Sequence, residues 1–294
     1  MAMIENRRKK SLIALSMVTP FVLVFTTFFL YPLIEMVRMS FTDAPLIGEG
    51  NWVGLENYAK LLGDRLFVTS LKNNGYFVLL TVVPTTVIAL MIALAISRLS
   101  GVKQTIAMSL FFLPYVLPVS VVTEIWAWML DLQFGILQPV ISLIAGKPVA
   151  VFKNPYWVMP MVAVVTIWWT NGFNVLLFIA GLRNIPTELY EAASLDGATT
   201  WQCFWRVTWP LLWPVTALVL TLQLILQLKI FDQIYLLSGG GPFNSSFVLL
   251  LKVYREAFQL NNGGYASAVA TVLFLLIMIV SILQFQLLRI RRNS

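Results

Sequence analysis

The apolar pattern of the chain is interrupted before residue 209 by the polar stretch Ile185-Pro186-Thr187-Glu188-Leu189-Tyr190-Glu191-Ala192-Ala193-Ser194-Leu195-Asp196-Gly197-Ala198-Thr199-Thr200-Trp201-Gln202. Pro186 suits the first position of a helix, and Glu188 and Glu191 stand where the helix dipole favours acids. Gly197 permits the left-handed turn that ends this helix, and Thr199-Thr200-Trp201-Gln202 forms a capping box for the next. The stretch therefore predicts a helix, a glycine turn and a second helix. Its residues alone suit a linker at a membrane surface as well as a surface for a partner protein.

The composition places most of the chain in lipid. Of 294 residues, 59% are hydrophobic and 11% are charged, whereas soluble domains carry about 25% charged residues. This excludes an ordinary cytosolic enzyme. The absence of histidine excludes His-ligated metals and haem, and the single cysteine, Cys203, excludes an intrachain disulfide.

Six stretches are long and apolar enough to cross a membrane, since a span needs about 20 such residues. We predict a single transmembrane domain over 1–294, without a cleavable signal peptide. Its predicted spans are 12–33, 74–97, 106–130, 156–182, 209–237 and 265–288.

The basic residues predict the orientation. Arg7, Arg8, Lys9 and Lys10 precede the first span, and Arg289, Arg291 and Arg292 follow the last. Cytoplasmic segments are rich in Lys and Arg, so both termini are predicted to be cytoplasmic, and the loop 185–208 lies on the same side. Inward regions then carry eleven basic and four acidic residues, and outward loops eight and seven. We attribute the net charge of +7 to this bias, not to nucleic-acid binding.

The motifs of catalysis are missing. No G-x-x-x-x-G-K-[ST] loop is present to hold nucleotide phosphates. The stretch Leu237-Ser238-Gly239-Gly240-Gly241 resembles the signature loop of ABC ATPases, but it follows a predicted span and we interpret it as a turn that Pro242 reinforces. The chain is therefore predicted not to be an enzyme and to bind no metal or cofactor of its own.

Placing polar side chains within a membrane span costs free energy, so such residues are candidates for function. Lys229 and Asp232 are predicted to share a helix face within ion-pair reach, as a structural pair or as substrate contacts. The Asn and Gln side chains within the spans could form hydrogen bonds with the hydroxyl groups of a sugar or could join helices. They do not indicate a particular sugar. The candidates for a substrate path are Glu124, Trp168, Asn171, Asn174, Gln223, Gln227, Lys229 and Asp232.

The polar stretch resembles the EAA motif of ABC-importer permeases, in which E-A-A, three residues and G are followed after nine residues by I-x-L-P. Glu191, Ala192, Ala193 and Gly197 match, whereas Val207-Thr208-Trp209-Pro210 departs from the last element at Val207 and Trp209. The longer pattern is similar to the carbohydrate-uptake branch. Weaker resemblances occur at Asn51–Tyr58, at Leu113–Trp126 and at Gly240-Gly241-Pro242.

The resemblance implies an all-α, six-helix membrane bundle whose cytoplasmic coupling helix docks on an ATPase subunit. Coupling would involve Glu188, Glu191, Ala192, Ala193, Asp196, Gly197 and Ala198. The implied partners are a second, different permease, two ATPase copies that use ATP and Mg²⁺, an extracytoplasmic binding protein and a carbohydrate. The implied location is a bacterial or archaeal inner membrane. The alternative is an ion-coupled secondary transporter that uses Glu124 and Asp232.

Overall fold

A computed structural model describes residues 16–293, with side chains as far as residue 286. The basic side chains at positions 7–10 and 289–292, which set the predicted orientation of the termini, lie outside the described residues. The described part is all-α, with one isolated β-bridge between Thr42 and Trp52. This confirms the predicted fold class. The chain clusters into two compact units, the first ending at Asp64 and resuming over Val253–Phe274, the second comprising Arg65–Lys252 and the residues from Leu275 onward.

In the first unit, helix α1 (Ser16–Met39) leads into a folded outer segment that ends in α2 (Glu56–Gly63). The buried Asn57 amide donates to the carbonyl oxygens of Ser40 and Thr42 at 2.9 and 2.8 Å. Phe41 stacks on Trp52 at 5.3 Å. These hydrogen bonds pair backbone carbonyl groups that lie outside any helix. Residues 40–58 therefore form an ordered segment and not an open loop.

The second unit holds most of the helices. Three long helices, Arg65–Ser97, Val158–Arg183 and Thr200–Leu228, pack against each other around buried residues that include Ala93, Phe178 and Leu212. The helices of this unit are α3 (Arg65–Ser97), α4 (Gly101–Val116), α5 (Val119–Met129), α6 (Gln138–Ala145), α7 (Val158–Arg183), α8 (Thr187–Leu195), α9 (Thr200–Leu228) and α10 (Asp232–Leu237). The chain then continues through α11 (Leu249–Tyr254) and a π turn (Arg255–Gln259) into α12 (Gly263–Asn293).

Five described helices are long and apolar enough to cross a membrane, and six spans result if the bent pair α4 and α5 counts as one. The predicted span 156–182 agrees with α7 within two residues. The predicted spans 74–97 and 265–288 fall within longer helices, and the described part of the predicted span 12–33 lies within α1, which continues to Met39.

The prediction of one uninterrupted third span over 106–130 is wrong. The helix stops at Val116 and resumes at Val119, and the two parts meet at 97°. The ring of Pro118 disfavours helical backbone at the residue before it, and Leu117 is extended, with ψ 139°. The indole N–H of Trp169 donates to the freed carbonyl oxygen of Leu117 at 3.1 Å. The break is therefore a formed feature of the fold.

The predicted fifth span, 209–237, is also misplaced. Helix α9 begins nine residues earlier, at Thr200, and ends at Leu228, and a separate short helix follows. Inside α9 a π turn, Phe204–Thr208, ends two residues before Pro210. The proline lacks an N–H and its ring would meet the carbonyl of Arg206, so the widened turn accommodates it without ending the helix.

Candidate functional site

The polar stretch forms the predicted helix, turn and helix. Helix α8 runs from Thr187 to Leu195, and Glu188 lies in its first turn. Two details differ from prediction. Pro186 is the N-cap, one residue before the helix, because its ψ of 132° is not helical. Glu191 is the fifth helical residue, so it lies beyond the turn where the dipole acts most strongly.

Gly197 turns the chain between the two helices, as predicted. Its φ is +75°, a left-handed conformation that glycine adopts without strain. The Gly197 and Ala198 N–H groups donate to Ser194 O and Ala193 O at 3.0 and 2.9 Å, closing the end of α8. Thr199 and Gln202 form the predicted reciprocal capping box at the start of α9. The turn is therefore held by hydrogen bonds on both sides.

Tyr190 ties α8 to the rest of the unit. Its hydroxyl is hydrogen-bonded to the Thr208 hydroxyl in the π turn of α9 at 2.9 Å. Its ring packs against the apolar cluster shared by α3, α7 and α9, and the neighbouring Ile185 is buried in the same cluster. Tyr190 is not among the residues predicted from sequence, although an aromatic residue among acids and alanines indicates that this helix has an inner face.

The opposite side of α8 is open. Glu188, Glu191 and Ala192 are exposed and Ala193 is half-buried. Asp196 and Ala198 line a notch of about 260 Å³ between α8 and α9, together with Cys203 and Arg206. Small residues beside exposed carboxylates leave room for the surface of another protein to approach closely.

A second feature is an apolar cavity of about 520 Å³ between α3, α4 and α7. Two of the predicted path residues, Trp168 and Asn171, line it among aliphatic and aromatic side chains. The Trp168 ring meets Trp126 edge-on at 5.6 Å. The buried Asn171 Oδ1 has no hydrogen-bond partner in the described chain. The cavity therefore combines an indole with apolar side chains, and the amide of Asn171 lies at its wall with its oxygen covered.

The other predicted amides do not line this cavity. Asn174, Gln223 and Gln227 are buried inside the helix packing. Gln227 donates to Gln223 Oε1 at 2.9 Å, so the two amides share a face of α9 as predicted and satisfy each other. Asn174 donates to the Thr170 carbonyl of its own helix at 3.4 Å, so these hydrogen bonds stay within single helices.

The charged path residues lie elsewhere. Glu124 is exposed on α5, Lys229 follows the end of α9, and Asp232 begins α10. The prediction that Lys229 and Asp232 share a helix face as an ion pair is wrong, because the helix ends between them, and the structure records no ion pair joining them.

Asn74 is a further functional residue that was not predicted from sequence. Its side-chain N–H donates to the carbonyl of Leu228, where α9 ends, at 2.9 Å. Its Oδ1 accepts from the backbone N–H of Leu249 at 2.8 Å. The buried amide of Asn74 on α3 thus fixes both ends of the segment between Leu228 and Leu249, which contains Lys229 and Asp232.

A family model described as the binding-protein-dependent transport system inner membrane component matches residues 75–292, which include α8, the glycine turn and α9. The chain belongs to this family. Membership confirms the family that the EAA resemblance indicated, and it gives no support to the ion-coupled alternative. The family consists of membrane components of transport systems, so this permease is a multi-pass membrane protein of a binding-protein-dependent system.

Several relatives cover most of the permease. A probable ABC transporter permease protein of Pyrococcus horikoshii is 31% identical over 89% of this chain and 90% of its own. A multiple sugar-binding transport system permease protein of Streptococcus mutans is 33% identical over 88% of this chain and 89% of its own. A sulfoquinovosyl glycerol transport system permease protein of Agrobacterium fabrum is 29% identical over 95% of this chain and 91% of its own.

The fold is also that of a solved transporter. A bacterial ABC transporter involved in the import of the acidic polysaccharide alginate contains a chain with a TM-score of 0.87 and 22% identity, covering 98% of this permease and 99% of that chain. The same transporter has been solved in complex with an alginate pentasaccharide-bound periplasmic protein. The likeness places the permease in the ABC importer fold.

Proposed function

We propose that this permease is one membrane subunit of an ABC transporter that imports a carbohydrate or related solute by ATP-driven alternating access. The relatives named above include permeases for multiple sugars and for sulfoquinovosyl glycerol. These names support a carbohydrate cargo and leave the individual sugar open.

The observation that carries the proposal is the connection from α8 to the membrane helices. An exposed face with Glu188, Glu191 and Ala192 is joined through Tyr190 and Thr208 to α9. A force on α8 therefore reaches α9 through a packed aromatic ring and a hydrogen bond, and not only through the Gly197 turn. Such a helix suits a groove on an ATPase subunit, where small and acidic residues meet a complementary surface.

The remaining parts of the transporter follow from this role. We propose a second, different permease, two ATPase copies and an extracytoplasmic binding protein as partners. ATP and Mg²⁺ belong to the ATPase copies, and the permease itself catalyses no reaction. We place the loop with α8 and both termini on the cytoplasmic side of a bacterial or archaeal inner membrane, with the chain acting as one transmembrane domain.

The cavity beside α7 is the proposed part of the cargo path. Sugars present apolar faces and hydroxyl groups, which suit the Trp168 indole and the Asn171 amide, whose unpartnered Oδ1 becomes available to a hydroxyl when the covering side chains move. The buried amides of Asn174, Gln223 and Gln227 contribute only in a conformation that separates their helices.

The proposal is tested by purifying the permease with its partners and reconstituting the complex. Without a co-purifying ATPase the proposal fails. With one, we expect ATP hydrolysis to rise when the binding protein and its sugar are added, and uptake to require ATP and to resist uncouplers of the proton gradient.

Gly197→Asp tests the coupling role of the glycine turn itself. An L-residue at φ +75° is strained by about 1–2 kcal/mol, and the added carboxylate changes the docking surface. We expect loss of uptake with normal membrane insertion. Gly146→Asp is the matched control, because Gly146 ends α6 at φ +72° and a Cβ there meets nothing within 4 Å. Normal ATP-driven uptake by Gly197→Asp, or equal loss in both variants, contradicts the coupling role.

A further inference from the structure

Four tryptophans form a ladder along the first half of α9. Trp201, Trp205, Trp209 and Trp213 follow at intervals of four residues, and successive rings meet edge-on at 5.5, 5.9 and 5.9 Å. Trp209 packs against the apolar cluster of the second unit. Trp201 and Trp205 are 69% and 47% exposed. The ladder is therefore anchored in the protein at one end and open at the other.

The length of α9 places the open end at the membrane surface. Its 29 residues extend about 43 Å, whereas the hydrocarbon layer is about 30 Å thick. Lys229 marks the far end of the helix. The excess of about 13 Å therefore corresponds to the first turns, which contain Trp201 and Trp205. Indole rings collect in this headgroup region, since each has an apolar body and a polar N–H.

Basic side chains lie beside the exposed indoles in sequence and at the ends of three other helices. Arg206 lies between the exposed indoles and Trp209, and Arg98, Lys103 and Arg183 lie at the adjoining ends of α3, α4 and α7. All four are exposed, and none forms an ion pair within the described part of the chain. Of the neighbouring acids, Glu188 and Glu191 lie on α8, and Asp196 lines the same notch as Arg206 without an ion pair to it. The helix ends thus present positive charge to the headgroups.

We propose that the open end of the tryptophan ladder, with Arg206, binds anionic phospholipid headgroups of the inner leaflet. The assignment to the inner leaflet rests on the proposed function. The indoles fill the boundary between acyl chains and headgroups, and the guanidinium donates to the headgroup phosphate. Because the same segment of α9 bonds to Tyr190, the lipid holds the inner end of the coupling connection at a fixed depth.

The test uses the reconstituted complex in bilayers with brominated lipids, which quench tryptophan emission on contact. The ladder signal is the difference between the natural chain and the Trp201→Phe/Trp205→Phe variant. The probes are dibrominated phosphatidylglycerol and dibrominated phosphatidylcholine at equal fractions. We expect local enrichment of the anionic probe by about fivefold for one basic residue, and its loss in Arg206→Gln.

Trp128→Phe is the control, since Trp128 is an exposed indole on α5 without a neighbouring basic residue in sequence. It should report equal quenching by both probes. Equal quenching of Trp201 and Trp205 by the two lipids, or a preference that survives Arg206→Gln, overturns the proposal. Absence of quenching by either probe also overturns it and assigns the surface to a partner subunit. The readout needs no transport, so it stands apart from a failure of the proposed function.

Discussion

At the scale of single residues, Tyr190 carries the connection between α8 and α9. Tyr190→Phe keeps the ring in the apolar cluster and removes the hydrogen bond to Thr208. A hydrogen bond of this kind contributes about 0.5–1.5 kcal/mol, so we expect a folded complex whose ATP hydrolysis rises relative to transport. The measurement is sugar imported per ATP hydrolysed in proteoliposomes.

Tyr156→Phe is the control for that experiment, because Tyr156 is 86% exposed in the connection before α7. An unchanged ratio in Tyr190→Phe would show that the hydrogen bond plays no part in coupling and that ring packing suffices.

The residues that could be predicted from sequence are those whose role is local. Gly197 and the Thr199–Gln202 capping box act on backbone groups within four residues, so the local sequence pattern is enough to predict them. Tyr190, Trp169 and Asn74 bond to groups 18, 52 and up to 175 positions away. No local pattern marks such partners, since they meet only after the helices have packed.

At the scale of helices, α4 and α7 approach so closely that only glycine fits between them. A Cβ on Gly172 would overlap the backbone of Phe111 and Phe112. Gly172→Val must therefore push the helices apart, which costs about 1–3 kcal/mol or more in a packed interior. We expect a lower unfolding temperature of the purified complex and reduced uptake, because α4 and α7 also border the cavity.

Gly75→Val is the control for the helix contact, since Gly75 is exposed on α3 and a Cβ there meets nothing within 4 Å. It carries the same change of helix propensity without the clash. Equal effects of the two substitutions on the unfolding temperature would contradict the close-packing argument.

The ends of α9 and α11 depend on Asn74 in the same way. Asn74→Leu leaves the carbonyl of Leu228 and the N–H of Leu249 buried without a partner, at a cost of about 1–3 kcal/mol for each group. Asn73→Leu is the comparison. Asn73 donates to Asn244 O and Phe247 O, but it is half-buried and water can replace it. We expect a clearly larger fall in unfolding temperature for Asn74→Leu, and equal falls would exclude the assigned role.

The helix breaks explain why element boundaries were harder to predict than element type. The sequence remains apolar through Leu117 and through Ile230-Phe231. Apolar composition therefore indicates a membrane segment but does not show where a helix bends or ends. Pro118 was a visible signal for the first break. The second break follows Leu228, whose carbonyl is satisfied from α3, and no residue of its own segment announces it.

At the scale of the whole molecule, the number of crossings depends on whether the bent pair of α4 and α5 passes through the membrane or returns. The connection before α4 carries Arg98 and Lys103, and the segment after α7 carries Arg183 and Arg206. Basic segments favour the cytoplasmic side. Since α7 crosses once, both segments can be cytoplasmic only if the bent pair crosses as well.

Single thiols test this directly, because Cys203 is the only cysteine of the chain. On a Cys203→Ser background, we expect a membrane-impermeant maleimide to label Lys147→Cys in intact spheroplasts. Ser100→Cys and Ser194→Cys should react only after permeabilisation. All three positions are exposed. If the bent pair returned to its starting side, Ser100 and Lys147 would react alike while Ser194 differed from both. That pattern would reduce the permease to five spans and reverse the charge bias on which its orientation rests.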